Sequence, residues 1–547
     1  MKLSSILASI LILVSTALVV KVLNWVWFRP KKLEKLLRKQ GLNGNPYRLF
    51  LGDMQDLTNV LKTQQPKTLN LSDDLRPHIL PYYQNIIDNF DCLKSGKHSF
   101  VWFGPSPRLN VADPELIKEI LSKPRLFHKA LPDPIGETIV GGLSYLEDEK
   151  WAKHRKIVNE AFHMEKLKVY SQSISSNIVL ICNMIPAMFL SCSKMIEKWE
   201  ALISRSGSSQ EIDVWPFLED LTGDVISRTA FGSSYEEGRR IFQLQKEQVK
   251  LLLHLLQFSF IPGWRYFPTK ANRRLRAITK QIQSLLRGMI NQREKAMERG
   301  EIIHSDLLSI LMESNFKEIQ EHGNKNVGLS IEDVIEECKL FYFAGSETTS
   351  TLLVWTMVLL SKHQDWQARA REEVLQVFGK KKPTFDGLQQ LKTVRESQSI
   401  TTLDIQVTMI LQEVLRLYPS VPFIARAPTK TVTLGSKIIP VGVQLTLLIV
   451  LLHHDPEIWG DDVKEFKPER FSQGISSAAK AQYSFTPFST GPRVCIGHNF
   501  AMIEAKMALA MILQHFSFEL SSSYLHAPFP LTTLQPQYGA PLILRRL

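Results

Sequence analysis

From Ser330 to Lys362 the chain reads SIEDVIEECKLFYFAGSETTSTLLVWTMVLLSK, a stretch without a proline. It opens with Ser-x-x-Asp, the spacing of a capping box, and at about 1.5 Å per residue such a helix reaches roughly 45 Å. Its second half is apolar nearly all round. A helix with no polar face has to run through the interior of its domain, so the chain must build a core wide enough to enclose it. At roughly 150 residues per domain, length alone would suggest three or four units. No Gly/Ser tract, proline-rich spacer or repeat period divides the 547 residues, however. After about residue 110 helical patterns dominate, among them HQDWQARAREEVLQVFG, which ends at Gly379. β-Branched stretches between Thr431 and Leu451, punctuated by Gly435, Pro440 and Gly442, and the final PLTTLQPQYGAPLILRRL predict a minor sheet component. The expected fold class is α-rich α+β.

The N-terminus has a different character. Leu3 to Val20 carries no charge, and apolar residues resume after Lys21 as VLNWVWF. This is enough helix to cross a hydrocarbon core, with Trp25 and Trp27 suited to the interface. RPKKLEKLLRK then sets Arg29, Lys31, Lys32, Lys35, Arg38 and Lys39 against the single acid Glu34. Positive residues on that flank keep it, and everything after it, on the cytosolic side. A cleaved signal peptide is disfavoured by the length of the apolar run and by the lack of an A-x-A site. The expected division is a membrane anchor at 1–28, a basic juxtamembrane hinge at 29–50 and one catalytic domain at 51–547.

The five cysteines, Cys92, Cys182, Cys192, Cys338 and Cys495, are scattered and never spaced C-x-x-C. They form neither a disulfide framework nor a zinc-finger pattern, which suits a reducing compartment. A formal charge of +12 is compatible with an anionic membrane surface or an acidic protein partner. No basic run interleaved with aromatics occurs beyond the N-terminus, so no nucleic acid is expected as a partner.

One cysteine stands apart. In FSTGPRVCIGHNF, Cys495 lies just ahead of Gly497 and of HNFAMIEAKMALAMILQHF, an amphipathic helical pattern. A helix N-terminus favours a thiolate through its unpaired N–H groups and macrodipole. Gly491 and Gly497 would let the backbone approach a flat ligand, Phe488 would cover the sulfur, and Arg493 would pair with a ligand carboxylate. A lone cysteine is otherwise most often a buried structural residue. Here the whole spacing F-x-x-G-x-R-x-C-x-G is present, and it resembles the cysteine-ligand loop of the cytochromes P-450, whose thiolate binds haem iron.

Distant stretches carry the same resemblance. AGSETT, Ala344 to Thr349, is similar to the family's oxygen-binding motif, and the resemblance implies catalytic roles for Glu347 and Thr348, an acid beside a hydroxyl. Glu413 and Arg416 in EVLR would by themselves be a surface ion pair. Upstream of PERF they resemble the family's E-x-x-R, joined by Arg470 in a structural lock. Trp151 and Arg155 of WAKHR match W-x-x-x-R, and Arg426 of VPFIARA stands where a further arginine reaches a haem propionate. The resemblance thus implies haem b, with cofactor-binding residues Trp151, Arg155, Arg426, Phe488, Arg493, Cys495 and Gly497, and Cys495 as axial iron ligand. It further implies the cytochrome P-450 fold behind one transmembrane helix. Localisation would be single-pass in the endoplasmic reticulum membrane with a cytosolic catalytic domain. NADPH would be used indirectly, through a separate NADPH–cytochrome P-450 reductase, since the chain has no G-x-G-x-x-G of its own.

Stretches such as DVWPFLEDLTGDVISRTAFGSSYEEG and TLQPQYGAPLIL resemble the seventy-two clan of plant cytochromes P-450, with terpenoid-oxidising members such as secologanin synthase and triterpene oxidases. That implies a lipophilic, terpenoid small-molecule substrate, hydroxylated at an unactivated C–H bond with O2. Pocket residues are expected within 131–142, 258–269, 343–347, 421–424 and 530–533. Two segments depart from the group: 169–183 and RESQSITTLDIQV at 395–407 look like insertions. They keep open a haem-free or inactive membrane-anchored protein of the same fold. A haem-thiolate isomerase or dehydratase is a further alternative, disfavoured by the intact Glu347–Thr348 pair.

Overall fold

The computed structural model describes residues 2–63, 73–79, 98–130, 134–162, 176–232, 235–256, 258, 260–300, 306–323, 327–390 and 406–547. The long helix runs from Ile331 to Lys362. Ser330 caps it: its Oγ accepts the Asp333 N–H at 3.1 Å, and the Asp333 carboxylate accepts the Ser330 N–H at 3.2 Å. Thr349 to Ser361, including Val354, Trp355, Met357, Val358 and Leu360, are buried without a break, as an all-round apolar face requires. The Val214–Phe231 helix packs along one side, and the Gln406–Leu417 and His498–His515 helices on others. The HQDWQARAREEVLQVFG pattern becomes Gln364–Phe378, capped by Gly379 at φ +57.

The sheet component is small. Six short strands pair in the order Asn43–Gly44, His98–Phe103, Ser106–Val111, Gln444–Leu447, Ile424–Pro428 and Phe127–Lys129. Phe127–Lys129 runs antiparallel to Ile424–Pro428 and sets Lys129 directly opposite Arg426. The C-terminal strand Pro541–Arg546 lies between Phe516–Leu520 and Ser209–Asp213. Within the 431–451 stretch, strands 432–434, 437–439 and 444–447 form as expected, while Ile449–His453 turns into a short helix.

At the N-terminus, Lys2–Leu23 is helical, continues through a π-turn at Asn24–Phe28 and joins the Arg29–Lys39 helix. The apolar part is exposed and long enough to cross a membrane. Residues 29–50, expected as a hinge, are packed against the body of the protein. Leu33, Leu37, Leu42 and Tyr47 are buried, Asn43–Gly44 adds a parallel strand beside Ser99 and Phe100, and Glu34 gathers Lys31, Arg38 and the Tyr47 N–H.

Of the two expected insertions, 169–175 and 395–405 lie outside the described residues. Residues 176–183 open the Ser176–Ser206 helix. Gln406 and Val407 open the Gln406–Leu417 helix, where Val407 is fully buried and its N–H reaches the Glu373 carboxylate at 2.8 Å.

Candidate active site

The floor of the site is the loop from Phe488 to Gly497. Gly491 begins a tight turn with φ +74, and a Cβ there would lie 2.7 Å from the Leu121 carbonyl oxygen. Both the left-handed backbone and the close approach require glycine. The Cys495 N–H closes the loop on the Phe488 carbonyl at 3.0 Å. This presents the sulfur three residues ahead of His498, the first residue of the His498–His515 helix, and into a cavity of about 420 Å³.

The roof is one face of the Ile331–Lys362 helix. Phe341, Ala344, Gly345, Thr348 and Leu352 recur at the spacing of a single helical stripe and line the cavity. The Thr348 hydroxyl donates to the Ala344 carbonyl at 2.8 Å, while the Thr348 carbonyl accepts the Ser420 hydroxyl at 3.0 Å. Glu347 does not line the cavity with its neighbour. It points off that face, where its carboxylate accepts Gln535 Nε2 at 2.7 Å. Burial raises its pKa to about 7, and Glu219 adds to the shift.

Positive charge rims one side. Lys129, Arg155, Arg426 and Arg493 all line the cavity. Arg493 pairs with Glu147, donates to the Leu146 carbonyl at 2.9 Å and lies over the Trp151 ring at 4.5 Å, yet its buried Nε has no partner. Arg426 donates to the Ala425 carbonyl at 2.9 Å. Burial, and then the charges of Arg493 and Arg426, drive Lys129 down to about 7; burial with Arg493 brings Arg426 to about 10. Like charges directly opposite on paired strands are destabilising, so this rim is built for an anion. Lys129 was not among the expected residues. It stands on a three-residue strand with no motif around it, and only its pairing with the distant Arg426 brings it here.

Burial pushes the Cys495 pKa up, and the Gly497 N–H and Arg155 offset this only partly. The side chain itself opens onto the cavity, where a bound cation would favour the thiolate.

Glu413, Arg416 and Arg470 assemble away from the cavity. Arg416 is bidentate to Glu413, with both contacts 2.7 Å, and donates to the carbonyls of His453 and Val463 at 3.0 and 2.8 Å. Arg470 reaches Glu413 at 3.4 Å and bonds Asp462. Of the expected pocket stretches, 343–347 contributes Ala344 and Gly345, and 421–424 contributes Val421 and Ile424. Among the described residues, 131–142, 258–269 and 530–533 supply no wall of this cavity; Leu131 to Asp133 and Ser259 lie outside them.

The family model described as cytochrome P450 matches residues 80–539. The chain belongs to the cytochrome P450 family. It is 54% identical over 528 residues to cytochrome P450 CYP72A219 of Panax ginseng, covering 96% of each chain. It is 51% identical to 7-deoxyloganic acid hydroxylase of Catharanthus roseus, covering 97% of this chain and 96% of the relative. It is 49% identical to cytochrome P450 72A15 of Arabidopsis thaliana, covering 100% and 99%. The protein is thus a P450 monooxygenase, and the family implies haem iron.

The cavity of this P450 fits that group. Gly497 has an ordinary φ of −92, and a Cβ there would meet only the Phe162 ring, at 3.9 Å. No polypeptide contact demands glycine; a flat ligand over the loop would. The rim surplus of positive charge and the unpaired Arg493 Nε suit the paired carboxylates of a porphyrin, and the sulfur below suits its iron.

Proposed function

We propose that this protein is a haem-thiolate monooxygenase that hydroxylates an unactivated C–H bond of a lipophilic terpenoid. The observation that supports the reading is that Cys495 and Thr348 line one largely apolar cavity of about 420 Å³ together with Lys129, Arg155, Arg426 and Arg493. In this reading Cys495 would give its thiolate to the haem iron, and Phe488 and Gly497 would leave room for the flat ring. Arg155, Arg426, Arg493 and Lys129 hold the propionates, with Trp151 orienting Arg493. The chemistry that haem supplies there is reductive activation of dioxygen and its insertion into a C–H bond.

The polypeptide supplies binding and protons. Thr348 holds a hydroxyl at the cavity wall, and Glu347, with a pKa near working pH, replenishes its proton after turning from Gln535. Phe341, Ala344, Leu352, Val421 and Ile424 exclude water and offer an apolar wall to the substrate. Likeness to a relative named for hydroxylating 7-deoxyloganic acid supports a terpenoid-like substrate. Electrons come from NADPH through a separate reductase. The molecule divides into an anchor at 1–28, a basic juxtamembrane segment at 29–50 and the monooxygenase domain at 51–547, held by the anchor at the cytosolic face of the endoplasmic reticulum. Glu413, Arg416 and Arg470 act structurally.

The test is the carbon monoxide difference spectrum of the reduced full-length protein in microsomes, beside Cys495→Ser. The expected result is the long-wavelength Soret band of thiolate-ligated haem, lost in the variant. Iridoid and triterpenoid acids, supplied with reductase and NADPH, should then gain one oxygen atom. The absence of a haem band from the unmodified protein would overturn the reading.

A further inference from the structure

Further along the roof helix, beyond the cavity, begins a chain of redox-active side chains that oxygen insertion does not use. Trp355 is three residues beyond the cavity-lining Leu352, roughly 4.5 Å further along the helix axis. It is fully buried, and its Nε1–H is fixed on the Leu534 carbonyl at 2.6 Å. The Tyr418 ring stacks on it with centroids 4.4 Å apart and planes 17° from parallel. Tyr418 itself sits between Leu415 and Ser420, both of which line the cavity. Its hydroxyl meets His526 Nε2 at 3.0 Å, and the other ring nitrogen, Nδ1, meets the Tyr524 hydroxyl at 2.8 Å. Tyr418 and His526 are buried, whereas Tyr524 is half-exposed on a turn flanked by the exposed Ser523 and Leu525.

We propose that Trp355, Tyr418, His526 and Tyr524 form a radical relay that drains an unused oxidising equivalent from the cavity to the protein surface. The relay rests on the haem-thiolate reading, because the equivalent arises at the cofactor when no substrate takes it. A phenol is hard to oxidise unless its proton has somewhere to go, and a neutral imidazole nitrogen at hydrogen-bond distance is such a place. In the tautomer with hydrogen on Nδ1, His526 Nε2 accepts from Tyr418 and Nδ1–H donates to the Tyr524 oxygen.

One electron passes from Tyr418, through the stacked Trp355 ring, to the cofactor, while the Tyr418 proton crosses to Nε2. An electron from Tyr524 then refills Tyr418, which takes its proton back from Nε2, and Tyr524 releases its own proton to solvent. A small thiol or ascorbate-type reductant donates a hydrogen atom to the half-exposed Tyr524 radical. The sum is one electron moved from an external reductant to the cofactor and one proton left in water.

The decisive measurement uses full-length, haem-loaded protein without substrate, mixed with hydrogen peroxide and freeze-quenched for electron paramagnetic resonance. Tyr418→Phe keeps the stack on Trp355 and removes only the hydroxyl; Tyr524→Phe alters a half-exposed site. Expected are a tyrosyl signal in the unmodified protein, its loss with faster haem bleaching in Tyr418→Phe, and its persistence in Tyr524→Phe with slower quenching by added ascorbate. The carbon monoxide band, measured on the same samples, should be equal in all three. An unchanged tyrosyl signal and bleaching rate in Tyr418→Phe, with that band intact, would overturn the relay alone. A missing band in the unmodified protein would overturn the haem reading and the relay with it.

Discussion

Two glycines in one loop do opposite work. Gly491 is required by the polypeptide, since its φ of +74 and the Leu121 carbonyl 2.7 Å away leave no room for a side chain. Gly497 is required only by what lies over it. Gly491→Ala should therefore lower the melting temperature of the haem-free protein, with about 1–2 kcal/mol of backbone strain plus the clash. Gly497→Ala should leave that melt unchanged and reduce haem retention, read as the Soret-to-protein absorbance ratio. At Glu347 burial carries the carboxyl from its ordinary 4.5 to about 7. It holds a proton below that pH and loses it above, so turnover that draws on this proton should fall as pH rises through about 7. Glu347→Gln should flatten that limb and slow turnover on the order of 10²-fold. The same shift has a folding consequence of fixed sign. Between 4.5 and about 7 the folded state keeps a proton that the unfolded chain has released, so this residue's contribution weakens as pH rises through the window. A thermal melt of Glu347→Gln should lack that slope.

At the scale of elements, Glu413, Arg416 and Arg470 tie the Gln406–Leu417 helix to the meander from His453 to Phe471. Both members of the Glu413–Arg416 pair are 0% exposed, and Arg416 also satisfies backbone carbonyls that have no water to turn to. Removing one partner strands a buried charge, which costs about 3–5 kcal/mol. Glu413→Ala should accordingly show little folded, haem-loaded protein in size-exclusion chromatography, whereas Arg369→Ala, which breaks the exposed pair with Glu469, should melt like the unmodified chain. This triad was legible in the sequence only because E-x-x-R and PERF occur together in order. Each alone describes an ordinary surface pair. The roof helix was legible on its own terms, from a cap at Ser330 and an apolar run that no surface helix would carry.

At the scale of the molecule, the exposed apolar helix and the packed residues after it separate anchoring from folding. Deleting residues 2–23 removes a helix whose described side chains are exposed, and should release the protein from membrane pellets on washing while preserving its carbon monoxide spectrum. Deleting through Lys39 takes away Glu34 and Arg38, which hold the Tyr47 N–H and the Gly44 carbonyl, and should lower the melting temperature as well. That difference was not visible in RPKKLEKLLRK, whose basic residues read as a solvated flank. Burial of Leu33 and Leu37 depends on a surface supplied by strands sixty residues away.

What local spacing can encode, the sequence carried unaided: the capped roof helix, the glycine-bracketed cysteine, the acid beside a hydroxyl at Glu347 and Thr348, and the apolar N-terminus. Each depends on residues within a few positions of one another, where helix period and turn chemistry act. The rest is decided by pairing across the fold. Lys129 becomes part of the site because a strand register sets it against Arg426. Glu347 turns away from its neighbour because one helix carries adjacent residues to different faces, and Gln535 waits on the second. Cys495 meets Thr348 at one cavity because the fold brings a loop and a helix far apart in the chain together, which no local spacing records.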